Sequence, residues 1–144
     1  MNKSTKNEKP SITVEAIVAA PIEKVWKFWT EPSHIQNWCS ASDDWYVPAA
    51  ENDLKVGGKF STTMSAKDKS FSFDFNGVYT EVKHHETITY TTGDGRKVMI
   101  SFSDQGKNTK IVETFEAEKT NSLEMQKDGW QSILDNFKKY TEIH

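Results

Sequence analysis

Few side chains in this sequence could carry chemistry. The titratable candidates are His34, His84, His85 and His144, the single Cys39, and the carboxylates Asp43, Asp44 and Asp74. A zinc site needs ligands at short recurring spacings, and these residues show none. His84 and His85 read as neighbours in one strand, where they would point to opposite faces and could not ligate together. His34 and Cys39 suggest a thiolate–imidazole pair, but no third residue orients them. Surface histidines are the simpler reading. No metal and no cofactor is expected, and no P-loop or dinucleotide fingerprint occurs; Gly93-Asp94-Gly95 reads as a hairpin turn. A carboxylate enclosed among rings would have a raised pKa and could act as acid or base. Asp74 alternates with Phe73 and Phe75, which places it outward, and Asp43 and Asp44 fall in an irregular stretch, so all three read as solvated. A bulge at Gly77 would swap the faces of the Asp74 strand.

Rings are the more telling chemistry. The chain has 144 residues with five Trp, eight Phe and four Tyr, so aromatics make up 12% while hydrophobic residues reach only 35%. A chain poor in aliphatics builds its interior from large flat side chains, which form either a packed core or the wall of a cavity. Phe60, Phe73, Phe75, Tyr90 and Met99 on strands, with Trp130, Leu134 and Phe137 on a helix, are expected to face one another across that interior. Trp38, Trp45 and Tyr46 sit in or beside an acidic irregular segment, where a core needs them less. They are candidates for gating a ligand or meeting a protein partner.

These residues must be positioned by local elements. ITVEAIVA (12–19) reads as a first strand. Pro21 fits the first position of a helix in which Ile22, Val25, Trp26 and Trp29 share one face. Pro32 should stop that helix, and SHIQNW (33–38) reads as a second short helix capped by Ser33. Residues 39–56 read as irregular. Gly57 and Gly58 then open KFSTTMSA, the first of five antiparallel strands, followed by 71–85, 86–92, 97–103 and 109–118. Asn121 and Glu124 form a capping-box pattern ahead of a long amphipathic helix with Leu123, Trp130, Ile133, Leu134, Phe137 and Tyr140 in one stripe. Gly129 lies at the edge of that stripe. Because glycine costs about 1 kcal/mol in a helix interior, it predicts close approach of a strand or loop, so leucine there should destabilise the fold.

Charge and targeting signals exclude several classes. A net charge of −3 offers no field for nucleic acid or anionic membrane. One cysteine suits a reducing cytosol, no apolar run approaches the length of a membrane span, and the polar MNKSTKNEKPS lacks a signal-peptide core. The expectation is a cytoplasmic single domain over 11–144 behind a disordered tail at 1–10, acting as monomer or weak homodimer.

Four stretches together are specific: APIEKVWKFWTEP (20–32), DLKVGGKF (53–60), FNGVYTEV (75–82) and GWQSILDNF (129–137). In this order the chain resembles the START-like SRPBCC superfamily, the helix-grip fold, in the branch of the heat-shock-protein-90 ATPase activator homologues. Val56 departs from the proline usual before the paired glycines. The resemblance implies an α+β fold in which a curved antiparallel sheet of about six strands wraps a long C-terminal helix, with two short helices after the first strand and a cavity between sheet and helix. It also implies functions ranging from carriage of apolar small molecules through cyclase- or aromatase-type catalysis to a co-chaperone-like interaction module. Fold alone does not choose among them. The leading expectation is binding of an apolar or aromatic small molecule. Catalysis would need convergent polar groups in the pocket, and an interaction module would need an exposed apolar patch near Trp45 and Tyr46.

Overall fold

The computed structural model describes residues 10–40 and 42–144; the tail expected at 1–10 lies outside them except for Pro10. The chain runs β1 (Ser11–Val18), α1 (Ile22–Thr30), α2 (Pro32–Trp38), β2 (Trp45–Asn52), β3 (Lys59–Ala66), β4 (Ser72–Lys83), β5 (Thr87–Thr92), β6 (Lys97–Asp104), β7 (Thr109–Glu116) and α3 (Leu123–Ile143). The strands form one antiparallel sheet in the order β1-β7-β6-β5-β4-β3-β2. Helices α1 and α2 thus carry the chain from one edge of the sheet to the other, and α3 lies against the concave face. The sheet has seven strands rather than six. The additional strand, β2, occupies the stretch expected to be irregular; Pro48 sits where its register with β3 shifts, between Tyr46 and Ala49. A proline without an N–H is tolerated at such an edge, and this obscured the strand in the sequence.

The helix ends also differ from expectation. Pro21 is the N-cap of α1 and Ile22 its first residue, while Pro32 starts α2 rather than merely ending α1. Glu31 serves as C-cap of one helix and N-cap of the next, so Ser33 does not cap. At α3 the cap is Ser122, whose Oγ accepts from Met125 N–H at 3.1 Å. Asn121 instead turns back to the Glu118 carboxylate, donating from its backbone at 2.6 Å and its side chain at 2.8 Å. The nearby Ser competes successfully for the cap because serine and asparagine are equally good at it.

The paired glycines have separate duties. Gly57 takes a left-handed φ of 83°, and a Cβ on Gly58 would lie 2.0 Å from the Asp53 carbonyl. Only residues without a Cβ satisfy both demands. Their backbone meets Tyr79 on β4: Gly57 N–H donates to the Tyr79 carbonyl at 2.8 Å, and Tyr79 N–H to the Gly58 carbonyl at 2.9 Å.

The core joins the inner face of the sheet to the three helices. Val14, Val98, Ile100, Ile111 and Phe115 are buried from the sheet, Val25 and Trp38 from α1 and α2, and Leu134 and Phe137 from α3. Polar bonds pin the layers together. Trp38 Nε1 donates to the Phe28 carbonyl at 2.8 Å, and Asn136 Nδ2 donates to the Trp38 carbonyl at 2.8 Å. His34 Nδ1 shares a hydrogen bond with the Tyr140 hydroxyl at 2.8 Å, and its ring stacks on Phe28 with centroids 3.9 Å apart. His34 is therefore a joint between α1, α2 and α3, not a surface residue.

Candidate functional site

Packing is incomplete where the sheet curves away from the N-terminal half of α3. A cavity of about 320 Å³ remains there, walled by side chains from β3 to β7, from α1 and α2, and from α3. This is within the ordinary range for small-molecule sites, and its apolar lining is typical of them. Alternation builds the wall. On β4, Phe73 and Phe75 point inward while Asp74 points out and accepts from Thr63 Oγ1 at 2.7 Å. The shift in β4 register falls between Tyr79 and Glu81, beyond Gly77, so the faces of Phe73 and Phe75 are not swapped.

Gly77 has another purpose. It pairs with Phe60 on β3, and a Cβ would meet the Thr91 carbonyl at 2.6 Å and the Phe60 ring at 2.8 Å. The missing side chain lets Phe60 lie across β4. There it meets Tyr90 edge-on at 4.7 Å and Tyr79 at 5.3 Å. Trp130 closes the opposite wall, stacked on Phe115 at 3.9 Å and edge-on to Phe75 at 5.9 Å.

A second cavity of about 260 Å³ adjoins the first and shares Cys39, Met64, Phe73, Gln126, Trp130 and Ile133 with it. Trp45 borders it on the sheet side, Met125 and Gly129 on the helix side. Phe73 and Met125 are exposed, which makes this the entrance. Trp45 packs edge-on against Phe71 and Phe73, at 6.2 and 5.9 Å. Nothing lies within 4 Å of where a Gly129 Cβ would be. The expected close approach is absent; Gly129 borders open space at the entrance.

Of the eleven sequence-derived site residues, Trp38, Phe60, Phe73, Phe75, Tyr90 and Trp130 line the main cavity, and Trp45 lines the entrance. Leu134 and Phe137 are fully buried in the core beneath, and Met99 and Tyr46 are exposed on the outer face. Met99 was misplaced because β6 presents Val98 and Ile100 inward, which puts its odd-numbered neighbour outside. His84 and His85 also correct the expectation. They lie in the turn after β4, where a positive φ of 64° at His85 lets the rings stack 3.8 Å apart, both against Trp26.

The residue the sequence reading missed is Glu113. Along β7 the buried positions are Thr109, Ile111, Glu113 and Phe115, so this carboxylate takes an inward place in an apolar series. That alternation was the available signal. Only 6% of Glu113 is exposed, it borders the cavity, and among the described residues its carboxyl has no hydrogen-bond or ion-pair partner. Burial away from water penalises the charged form and pushes its pKa up to about 8. The cavity also contains Tyr90, whose phenol is raised well above its ordinary value by burial and then by Glu113, and Cys39, whose thiol is pushed up to about 12 for the same two reasons. Arg96 also borders the cavity and is held through Nε by Asp94 at 2.9 Å. Gln126 is consumed by the chain before α3: its Oε1 accepts from Glu118 N–H, and its Nε2 donates to the Glu118 and Asn121 carbonyls.

Among the described residues no group of three His, Cys, Asp or Glu is placed to hold a metal ion, and none of the described helices is long and apolar enough to cross a membrane. A comparison with curated proteins gave no match. Solved structures do match. An AHSA1-like protein from Aeromonas hydrophila is 41% identical over 93% of each chain, with a TM-score of 0.88. A protein from Cytophaga hutchinsonii is 61% identical over 92% of each chain, with a TM-score of 0.80. A protein from Chromobacterium violaceum, only 20% identical, shares the fold at a TM-score of 0.83 over 92% of this chain and 98% of that one. The model of the family described as activator of Hsp90 ATPase homolog 1-like protein matches residues 19–142, and the chain belongs to that family.

Proposed function

We propose that this protein binds an apolar or aromatic small molecule in the cavity between the sheet and α3. The single observation that carries this reading is the ring-walled cavity of about 320 Å³ with its own entrance. A core of this kind is normally packed without voids much larger than a water molecule. Leaving so much space beside Phe60, Phe75, Tyr90 and Trp130 forfeits dispersion contacts, and an apolar ligand would restore them. The single cysteine fits a reducing compartment, and we place the protein in the cytosol. Titration with naphthalene-sized aromatic probes, followed by tryptophan fluorescence and amide chemical shifts, tests the reading. Saturable shifts confined to β4, β5 and the N-terminal half of α3 are expected; absence of saturation with every probe would sink it.

A second reading is favoured by one observation, the buried Glu113 carboxyl and the Tyr90 phenol bordering the same cavity. A carboxyl titrating near neutrality is suited to proton transfer, so a cyclase-type reaction on the bound molecule is the alternative. Conversion of a bound probe that vanishes in Glu113→Gln would favour it over simple carriage.

A further inference from the structure

The cavity is apolar in bulk but not in detail, and its polar atoms are of one kind. Glu113 projects from β7 and Tyr90 from β5, on the same inner face, with Val98 and Ile100 of β6 between them. Strands lie about 4.8 Å apart, and Glu113 pairs with Ile100 while Tyr90 pairs with Val98, so the two side chains start two strands apart and two residues out of step along the sheet. Neither the Glu113 carboxyl nor the Tyr90 hydroxyl has a hydrogen-bond partner among the described residues. Both groups border the cavity rather than being sealed in protein, since the Thr141 hydroxyl is the one fully enclosed side-chain polar atom without a partner among the described residues. Their partner is therefore to be sought in what enters the cavity.

The protonation states say what that partner must offer. Burial favours the neutral forms of both groups and of the Cys39 thiol beside them. Each is then a proton donor bordering the cavity. A carboxylate-bearing ligand would meet only Arg96, whose guanidinium is already paired through Nε with Asp94. A cationic ligand would have to ionise Glu113 in an apolar enclosure, at a desolvation cost that ion pairing rarely recovers.

We propose that the cavity selects an uncharged aromatic ligand bearing a carbonyl oxygen, which accepts hydrogen bonds from the Glu113 carboxyl and the Tyr90 hydroxyl while its rings lie among Phe60, Phe75 and Trp130. This rests on the ligand-binding reading above and specifies its ligand class. A proton linkage follows. The titratable and charged groups that share the cavity with Glu113 are Cys39 at the end of α2, Tyr79 on β4, Tyr90 on β5, Arg96 just ahead of β6 and Glu118 before α3, with the polar Gln126 at the start of α3. Cys39, Tyr79 and Tyr90 are all pushed by burial above the alkaline range of interest. Glu118 is lowered, chiefly by the hydrogen bond from Asn121 N–H. Glu113 is thus the group that changes charge between about pH 7 and 9, given its pKa of about 8. Its ionisation removes a donor and places a carboxylate lone pair against the ligand oxygen, so binding weakens as pH rises.

Three probes of one shape separate the alternatives: benzophenone, diphenylmethane and aminodiphenylmethane, titrated into the full chain and followed by amide chemical shifts. Benzophenone is expected to bind about tenfold tighter than diphenylmethane at pH 6.5, the worth of one net hydrogen bond. That advantage should disappear in Glu113→Leu, fall in Tyr90→Phe, and fade in the native protein between about pH 7 and 9. In Glu113→Gln, which keeps an N–H donor at every pH, it should persist without the pH dependence. Equal binding of ketone and hydrocarbon, or tightest binding of the amine, would overturn this inference and leave the ligand-binding reading standing. Failure of all three to saturate would remove that reading and this one together. Because Glu113→Leu replaces an unpaired buried carboxyl with an apolar group, loss of folding does not confound the comparison.

Discussion

Trp130 of α3 stacks on Phe115 of β7 with ring centroids 3.9 Å apart and planes 13° from parallel. Phe115 is 1% exposed and belongs to the core, whereas Trp130 borders both cavities. One face of the indole is thus fixed by the sheet while the side chain borders the space a ligand would take. Trp130→Ala should lower stability by about 2 kcal/mol, less than a fully buried tryptophan would cost. Removal of the wall should also weaken any aromatic probe, while Trp130→Phe retains most of both. Denaturant titration alongside probe titration checks the pair of effects.

Glu113 predicts a dependence of stability on pH. Its folded pKa of about 8 lies above the ordinary carboxylate value of 4.5, so between those values the folded chain holds a proton that the unfolded chain has released. The stabilisation is complete below about pH 4.5 and is lost as pH rises through about 8, at about 1.4 kcal/mol per pH unit over that window. Glu113→Gln should flatten the slope. Parallel urea titrations from pH 5 to 8.5 measure it, and identical slopes for the two proteins would contradict the burial of this carboxyl.

Gly129 is expected to behave oppositely to what its place in the helix sequence suggests. With open space around its Cβ position, Gly129→Ala should stabilise α3 by about 1 kcal/mol, the helix propensity difference. Gly129→Leu should fold but narrow the entrance, slowing probe association more than it changes thermal stability. Stopped-flow fluorescence separates the two effects.

Gly77 should tolerate nothing larger. A Cβ 2.6 Å from the Thr91 carbonyl cannot be relieved by rotating a side chain, so Gly77→Ala should cost about 1–3 kcal/mol, as overpacked sites do, and displace Phe60. Because Phe60 lies edge-on to Tyr90 at 4.7 Å, a change in the chemical shifts of both rings should accompany it.

Cys39 should be nearly inert. With a thiol pKa pushed up to about 12, the reactive thiolate amounts to about one part in ten thousand at pH 8. Iodoacetamide should therefore modify it far more slowly in the native protein than in urea. Occupation of the cavity should slow the reaction further, since Cys39 borders both cavities.

The fold was legible because local signals agreed. Paired glycines, hairpin turns, alternating phenylalanines and one amphipathic stripe each specify a piece of the same architecture, and their order carried the family resemblance. Strand β2 was hidden because Trp45, Pro48 and the acidic residues around them break alternation at an edge. The cavity was half legible. Rings at inward strand positions identified Phe60, Phe73, Phe75 and Tyr90, but along α3 the stripe could not separate a ring that faces space from one that faces core. Leu134 and Phe137 lie on the same stripe as Trp130, and only the curvature of the sheet opens a gap beside one and closes it over the others. Glu113 was not legible because a carboxylate in a strand ordinarily points to solvent, and only its place in the buried series Thr109, Ile111, Glu113, Phe115 sets it inside.

The strand order has a consequence for the order of assembly. Strands β2 to β7 join neighbour to neighbour through short turns, so their pairings close small loops quickly. Strand β1 alone pairs across the length of the chain, Ser11 with Glu116 and Val18 with Thr109, and such a closure carries the greatest entropic cost. Until it forms, β7 is a bare edge. Closing β1 onto β7 sets Val14 beside Glu113, so the strand that carries this carboxyl is completed only by the longest-range pairing in the chain.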